Sequence, residues 1–431
     1  MSASSSKTFL RAALVSVAAL AALLCVEGAA AHEREKGQGF MFGVGMHAMT
    51  GWIDLEEADS LVGELGVNSF RDDLFWRAVE KEKGILKLEG RAKEFADYVR
   101  RYSVDRAPII ILGYGNRHYE GGDFPVSAEA LDAYARYCRY VASYLGDGRH
   151  IFQVWNEWNT GLGLPAELRR NGTAKDYLET LRRARTAISE TAPEAIVISQ
   201  SVARMDDAWI DQFVAGGGLK LVDGLAVNPY VWGRAKDRRP EDAMAWLDRL
   251  QVKLRRANGG TDFPVYVTEI GWPNHHGHGA IPERLTAAYA VRFLMMAKAR
   301  SWIRGVWWYD LKNDGTSRSD WEHNYGLVRA DGAKKPIFEA FRRLAPVLID
   351  GRVVGNGRTV GNVIEVTVAL PQDQQVTVLW SKEGAESAEV VVNGKVLDLL
   401  AGRPLRPGTR SLRLTEEPIV LQYRRSAFQL N

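Results

Sequence analysis

Between residue 40 and about residue 348 the chain alternates short apolar runs with longer amphipathic stretches. The short runs, at 42–47, 67–71, 108–112, 151–155, 195–199, 224–228, 265–268 and 305–309, are rich in β-branched and aromatic residues. They lack a clean polar alternation, as strands covered on both faces do. Between them, apolar spacing predicts helices over 55–65, 90–102, 127–145, 174–189, 208–214, 240–256, 282–299 and 336–348. Ser127 stands at a helix start, and Pro282 and Pro336 occupy opening turns. Strand-then-helix units repeated in this way predict a (β/α)8 TIM barrel. A doubly wound open sheet is the alternative, but no Gly-x-Gly-x-x-Gly follows the first strand.

The pattern changes after Ile349. Residues 364–370, 375–380, 388–392 and 419–423 are β-prone runs broken by Gly, Asn, Pro and Asp, with no comparable helix among them. They predict a small C-terminal β-sandwich over 349–431, its sheets extended by residues from just after the N-terminal segment.

That segment is different again. Lys7 and Arg11 form a basic head, 12–26 is apolar or small apart from Ser16, and Gly28, Ala29, Ala30 and Ala31 suit a cleavage site. Residues 1–31 are therefore expected to be a secretory signal peptide cut after Ala30 or Ala31, with the catalytic barrel over 32–348. An uncleaved anchor is the alternative, although its apolar core is short for a bilayer span. Leu24 before Cys25 matches lipoprotein processing poorly. The expected location is the periplasm or the exterior.

Composition changes this picture only by exclusion. Charged residues are 25% and apolar residues 46%, the balance of a folded protein. The formal charge of +3 falls to +2 once Lys7, Arg11 and Glu27 leave with the signal, which gives no reason to expect nucleic acid as a partner. Cys138 is then the sole cysteine, so neither an internal disulfide nor a thiolate zinc cluster can form.

The chemistry lies at the strand ends. Gln153-Val154-Trp155-Asn156-Glu157-Trp158-Asn159 closes the fourth run, and Val265-Tyr266-Val267-Thr268-Glu269-Ile270-Gly271-Trp272-Pro273 closes the seventh. In a barrel both carboxylates reach the rim where active sites are built. A lone rim glutamate reads more readily as a salt bridge. Two of them, each beside tryptophan, suit glycoside cleavage, in which one carboxyl delivers a proton and the other attacks the anomeric carbon or activates water. Tryptophans and a second carboxylate raise proton affinity, which suits Glu157 to the acid role.

On those two motifs the barrel resembles clan A of the glycoside hydrolases. Within it, the chain looks like family 39, especially the PslG-type periplasmic endoglycosidases of exopolysaccharide systems. The resemblance implies retention of configuration, with Glu157 as acid/base, Glu269 as nucleophile and Asn156 on the sugar's 2-hydroxyl. It also implies a polysaccharide substrate and association with an export machinery, and it supports an arginine at the second strand, Arg71, near the nucleophile. One departure is visible: clan members often carry a histidine where this chain has Asn228 before Pro229-Tyr230. An amide can still hold a hydroxyl or a carboxylate.

Further candidates follow from position. Tyr230 could donate to the nucleophile. Strand alternation lets only one of Trp307 and Trp308 point inward, and Trp308 is taken as the floor for the sugar at the cleavage point. Trp158, Trp232 and Trp272 sit in loops where aromatic faces could meet pyranose rings. His47 closes the first strand, and Tyr114, Asn116 and His118 follow the third; each could hold hydroxyls or make ordinary loop hydrogen bonds. His275, His276 and His278 tempt a metal reading, but their glycine-rich setting fixes no ligand geometry and the hydrolysis needs no ion. Neither cofactor nor metal is expected. An exo-acting β-xylosidase-like enzyme and a noncatalytic glycan-binding or matrix-assembly protein are the competing functions, and loop lengths do not separate a cleft from a pocket. Oligomeric state is not written in the sequence.

Overall fold

The computed structural model describes residues 39–430 except 105, 235 and 237. The proposed signal peptide and the residues just after it lie outside this range.

The described residues form a closed parallel barrel. Its strands in chain order are Met41–Val44, Arg71–Phe75, Ile109–Gly113, Ile151–Val154, Ile196–Ile198, Leu225–Asn228, Val265–Ile270 and Ile303–Trp308. The second to fifth make one arc, and the first, eighth, seventh and sixth make the other, with Val202–Ala203 added beside the sixth. Single parallel bridges, Gly45 to Arg71 and Ile198 to Gly224, join the arcs. The helices follow the sequence expectation closely, from Leu55–Leu65 to Pro336–Asp350. Asp54, Ser127, Thr173 and Asp206 each cap a helix by accepting from its first free N–H groups.

Met41, Ile109, Ile151, Ile198, Ala226, Tyr266 and Trp307 fill the lower barrel interior as one cluster. Above them the interior turns polar. Arg71, Asp72, Asp73, Gln153, Asn156, Asn228 and Glu269 are all buried there. The second strand is the main departure from expectation: it begins at Arg71, where the sequence pattern predicted its end. Charged Asp72 and Asp73, beyond the expected strand end at Arg71, read as loop, yet burial is tolerated because Arg71 is paired and Asp72 accepts from the N–H groups of Ala48 and Met49.

The C-terminal part is a β-sandwich. Antiparallel strands Arg352–Val360, Val363–Leu370, Gln374–Ser381, Ile419–Arg424, Val396–Asp398 and Arg403–Leu405 form one sheet, in that spatial order. Gly408–Leu414, Glu386–Val392 and Phe428–Leu430 form the other. Leu379, Val390, Leu414, Leu421 and Tyr423 pack between the sheets. The opposite face of the larger sheet, through Val366, Val368, Val376, Val378 and Trp380, joins the hydrophobic core of the barrel. Arg292, with its side chain fully covered, binds Glu241 in this seam, and Trp380 Nε1 donates to the same carboxylate at 2.8 Å. Among the described residues no helix is long and apolar enough to cross a membrane.

Candidate active site

Glu157 and Glu269 both line one cleft of about 1390 Å3 at the C-terminal rim of the barrel. The chain leaves the fourth strand sharply: Trp155 and Glu157 take left-handed backbone, φ 69° and 50°. Few non-glycine residues adopt this conformation, and those held there tend to mark functional positions. The turn is pinned from the fifth strand's end. Glu157 N donates to Ser201 O at 3.2 Å and Trp158 N to Gln200 Oε1 at 3.1 Å. Asn228 Nδ2 then donates to Glu157 Oε1 at 2.9 Å.

Glu269 is held differently. Arg71 Nη1 donates to its Oε1 at 2.8 Å, and Tyr230 OH to its Oε2 at 2.9 Å. Arg71 is itself fixed, donating to Gln153 Oε1 at 3.0 Å and to Asn156 Oδ1 at 2.9 Å. Asn156 Nδ2 in turn donates to Tyr114 OH at 3.2 Å. The network ties the second, third, fourth, sixth and seventh strands to one carboxylate and leaves neither of its oxygens without a donor.

Burial and neighbouring charge act on several carboxyls of the cleft. Burial, and after it the charge of Glu269, raises the Glu157 carboxyl to about 7, while Asn228 and Arg71 act against that rise. Asp73 also rises to about 7, through burial and then the neighbouring Asp72, and Glu322 rises to about 8, through burial and then Glu269. At His47, burial alone would disfavour the proton, but hydrogen bonds and charge from Asp310 and Asp314 outweigh it and raise the pKa. Its Nδ1 lies 3.0 Å from Asp314 and 3.4 Å from Asp310. These three are the described residues grouped closely enough to hold a metal ion. A proton on His47 balances the same carboxylates. His275 is instead buried against Trp232.

Several expected sugar contacts do not survive. Trp308 is fully buried and packs on Phe341 and Trp272, so it is not the floor of the cleft. Trp307 is the inward residue, donating to Ser69 Oγ at 2.8 Å in the barrel interior. By alternation the next inward position is Tyr309, which does line the cleft. Trp158 is buried against Phe124 and Trp155, and Trp272 against Tyr289 and Trp308; both are packing residues. His118 is exposed outside the cleft lining, its ring nitrogen 2.9 Å from Lys81 O. Asn228 does not line the cleft either; its amide is spent on Glu157 and on accepting from Thr268 Oγ1.

Of the loop tryptophans expected there, Trp232 keeps its place, and Trp52 and Trp321 join it. Trp232, Trp52 and Trp321 line the cleft, the last two 51% and 42% exposed, which is unusual for so large an apolar ring. Trp52 and Trp321 follow the first and eighth strands, so counting tryptophans in every strand-to-helix loop would have found them.

No protein-family profile matches the chain, and no curated protein is similar to it in sequence. Solved structures are similar in fold. A family 39 glycoside hydrolase from the gut symbiont Bacteroides cellulosilyticus WH2 superposes with TM-score 0.72 at 21% identity, covering 90% of this chain and 81% of that one. A monomeric β-xylosidase from Caulobacter crescentus CB15 gives 0.61 at 14% identity, covering 89% and 95%. The family 39 enzyme from Xanthomonas axonopodis pv. citri gives 0.58 at 14%, covering 90% and 94%. At these identities the likeness establishes the fold alone, a (β/α)8 barrel with a trailing β domain.

Proposed function

We propose that the chain is a retaining glycoside hydrolase that cuts a polysaccharide internally. The observation that carries this reading is the unequal pair. Glu157 keeps a proton close to neutral pH, while Glu269 accepts from a guanidinium and a phenol, as an anionic nucleophile requires.

In this scheme Glu157 gives its proton to the leaving glycosidic oxygen as Glu269 attacks the anomeric carbon. A covalent glycosyl-enzyme forms. Glu157, now a carboxylate, takes a proton from water, which displaces Glu269. As Glu269 bonds to the sugar it loses negative charge and the hydrogen bonds from Tyr230 and Arg71 weaken, and Asn156 stands at the rim for the sugar's 2-hydroxyl. Tyr309 offers a ring near the nucleophile's tyrosine, with centroids 6.3 Å apart, in the place first given to Trp308.

An open cleft flanked by exposed Trp52 and Trp321 supports endo action on a long chain. The likeness to a β-xylosidase keeps exo action as the competing outcome. Viscosity separates them: an endo enzyme collapses the viscosity of an exopolysaccharide before many reducing ends appear, whereas an exo enzyme releases sugar with viscosity nearly unchanged. Absence of reducing ends from every polysaccharide and aryl glycoside, despite binding, would favour a glycan-binding protein. The basic head and apolar run at the N-terminus support export to the periplasm, beside an exopolysaccharide export machinery. Sequencing of secreted material is expected to start near Ala31 or His32; recovery of intact Met1 in membranes would establish an anchor.

A further inference from the structure

The two ends of the cleft differ in charge. Loops after the first and eighth strands contribute His47, Trp52, Trp321 and Glu322, an aromatic and partly acidic surface. Across the mouth, the segments after the fourth, fifth and sixth strands contribute Arg169, Arg204, Arg234 and Arg249.

These four guanidinium groups are exposed, and none forms an ion pair with a described carboxylate. Their neighbours do. Arg170 binds Asp123, Arg239 binds Glu383 and Glu416, and Lys253 binds Asp207 and Asp211. The basic side of the cleft is thus left open while adjacent cations are neutralised internally.

Arg204 is presented by unusual backbone. Arg204 and Met205 are consecutive non-glycine residues in left-handed conformation, φ 61° and 53°. Such geometry persists where the surroundings impose it. Here Asn159 clamps the preceding residue from both sides, its Oδ1 accepting from Ala203 N and its Nδ2 donating to Ala203 O, each at 3.1 Å. Arg204 also lies near enough to Glu157 to act on its charge.

The acid must touch the oxygen that leaves, so the leaving sugar lies on the side of Glu157. Resting on the glycosidase reading for that orientation, we propose that the leaving-group half of the cleft holds an acidic glycan, whose anionic substituents face Arg169, Arg204, Arg234 and Arg249. Planar forked donors suit carboxylates and sulfate esters alike.

Binding to the intact protein, followed by tryptophan fluorescence at physiological salt, tests this without requiring the correct linkage. The probes are oligogalacturonate and its carboxyl-reduced counterpart, and a chondroitin sulfate oligosaccharide and its desulfated counterpart. The more anionic member of at least one pair is expected to bind about tenfold tighter, the effect of one charge-assisted contact. Loss on carboxyl reduction assigns carboxylates, and loss on desulfation assigns sulfate esters. Arg204→Gln with Arg249→Gln is expected to erase the preference, whereas Arg256→Gln, removing an exposed charge outside the cleft lining, leaves it intact. Equal binding within both pairs, or a preference that survives the double variant, overturns the proposal. A charge preference without reducing-end release from any acidic polysaccharide would count against the hydrolase reading, and with it the leaving-group orientation, while the contact of an acidic glycan with these arginines would stand.

Discussion

Glu157 and Glu269 are the same side chain at equivalent strand ends, and in the proposed scheme their different surroundings suit them to different work. Glu157 receives one neutral amide donor on Oε1, so burial dominates and its proton is held until about pH 7. For substrates with poor leaving groups, kcat/KM is expected to fall about tenfold per unit above that pH, as a required acid loses its proton. A rate flat to pH 9 would contradict the assignment. Stability carries the same signature. The folded chain binds this proton more tightly than the unfolded chain, so the contribution is full below the ordinary value of 4.5 and is lost as pH rises through about 7. Glu157→Gln should therefore raise Tm at pH 8 and leave it nearly unchanged at pH 4; equal shifts at both would contradict this. Tyr230→Phe removes one donor to a carboxylate. That is worth roughly 1.5–3 kcal/mol, a loss of about 10- to 100-fold in kcat, with the fold retained on circular dichroism.

The strand ends that carry the two glutamates were legible because each follows a β-branched run and precedes Trp or Gly-Trp. The second strand was read as ending at Arg71 because Asp72 and Asp73 look like a loop until the donors that hold Asp72, and the partner that Arg71 finds 198 residues away, are known. Arg352–Val360 was missed as a strand because Gly355 and Gly357 interrupt it; both have positive φ where its register shifts. The Trp308 error was one of parity. A strand has two faces, and the eighth strand gives Trp307 to the barrel interior, Trp308 to the helix Pro336–Asp350 and Tyr309 to the rim. Trp308→Ala should accordingly cost about 3–5 kcal/mol of stability by opening a cavity, measured by denaturant unfolding. Trp321→Ala should leave stability nearly unchanged and weaken polysaccharide binding. The opposite pattern would return Trp308 to the cleft.

At the scale of the molecule, the sandwich is built into the barrel's core, with one face of its larger sheet covered by barrel residues. That is why residues 376–381 are buried on both faces of their strand, toward the barrel and toward the second sheet. A chain ending at Asp350 would strip the cover from the apolar seam and from Arg292, which pairs with Glu241 there. It is expected to be recovered insoluble or with a sharply lower Tm; an equally stable, soluble barrel would contradict this packing. The assembled rim brings together two carboxylates whose roles are set by stereochemistry more directly than by any rate. Glu157→Ala, given an activated aryl glycoside and azide, isolates the step after glycosyl-enzyme formation, because azide needs no general base. Proton resonance of the first-formed product then reads its anomeric centre before mutarotation. Double displacement with Glu269 as nucleophile predicts a glycosyl azide of the starting configuration, and an inverted azide would contradict it.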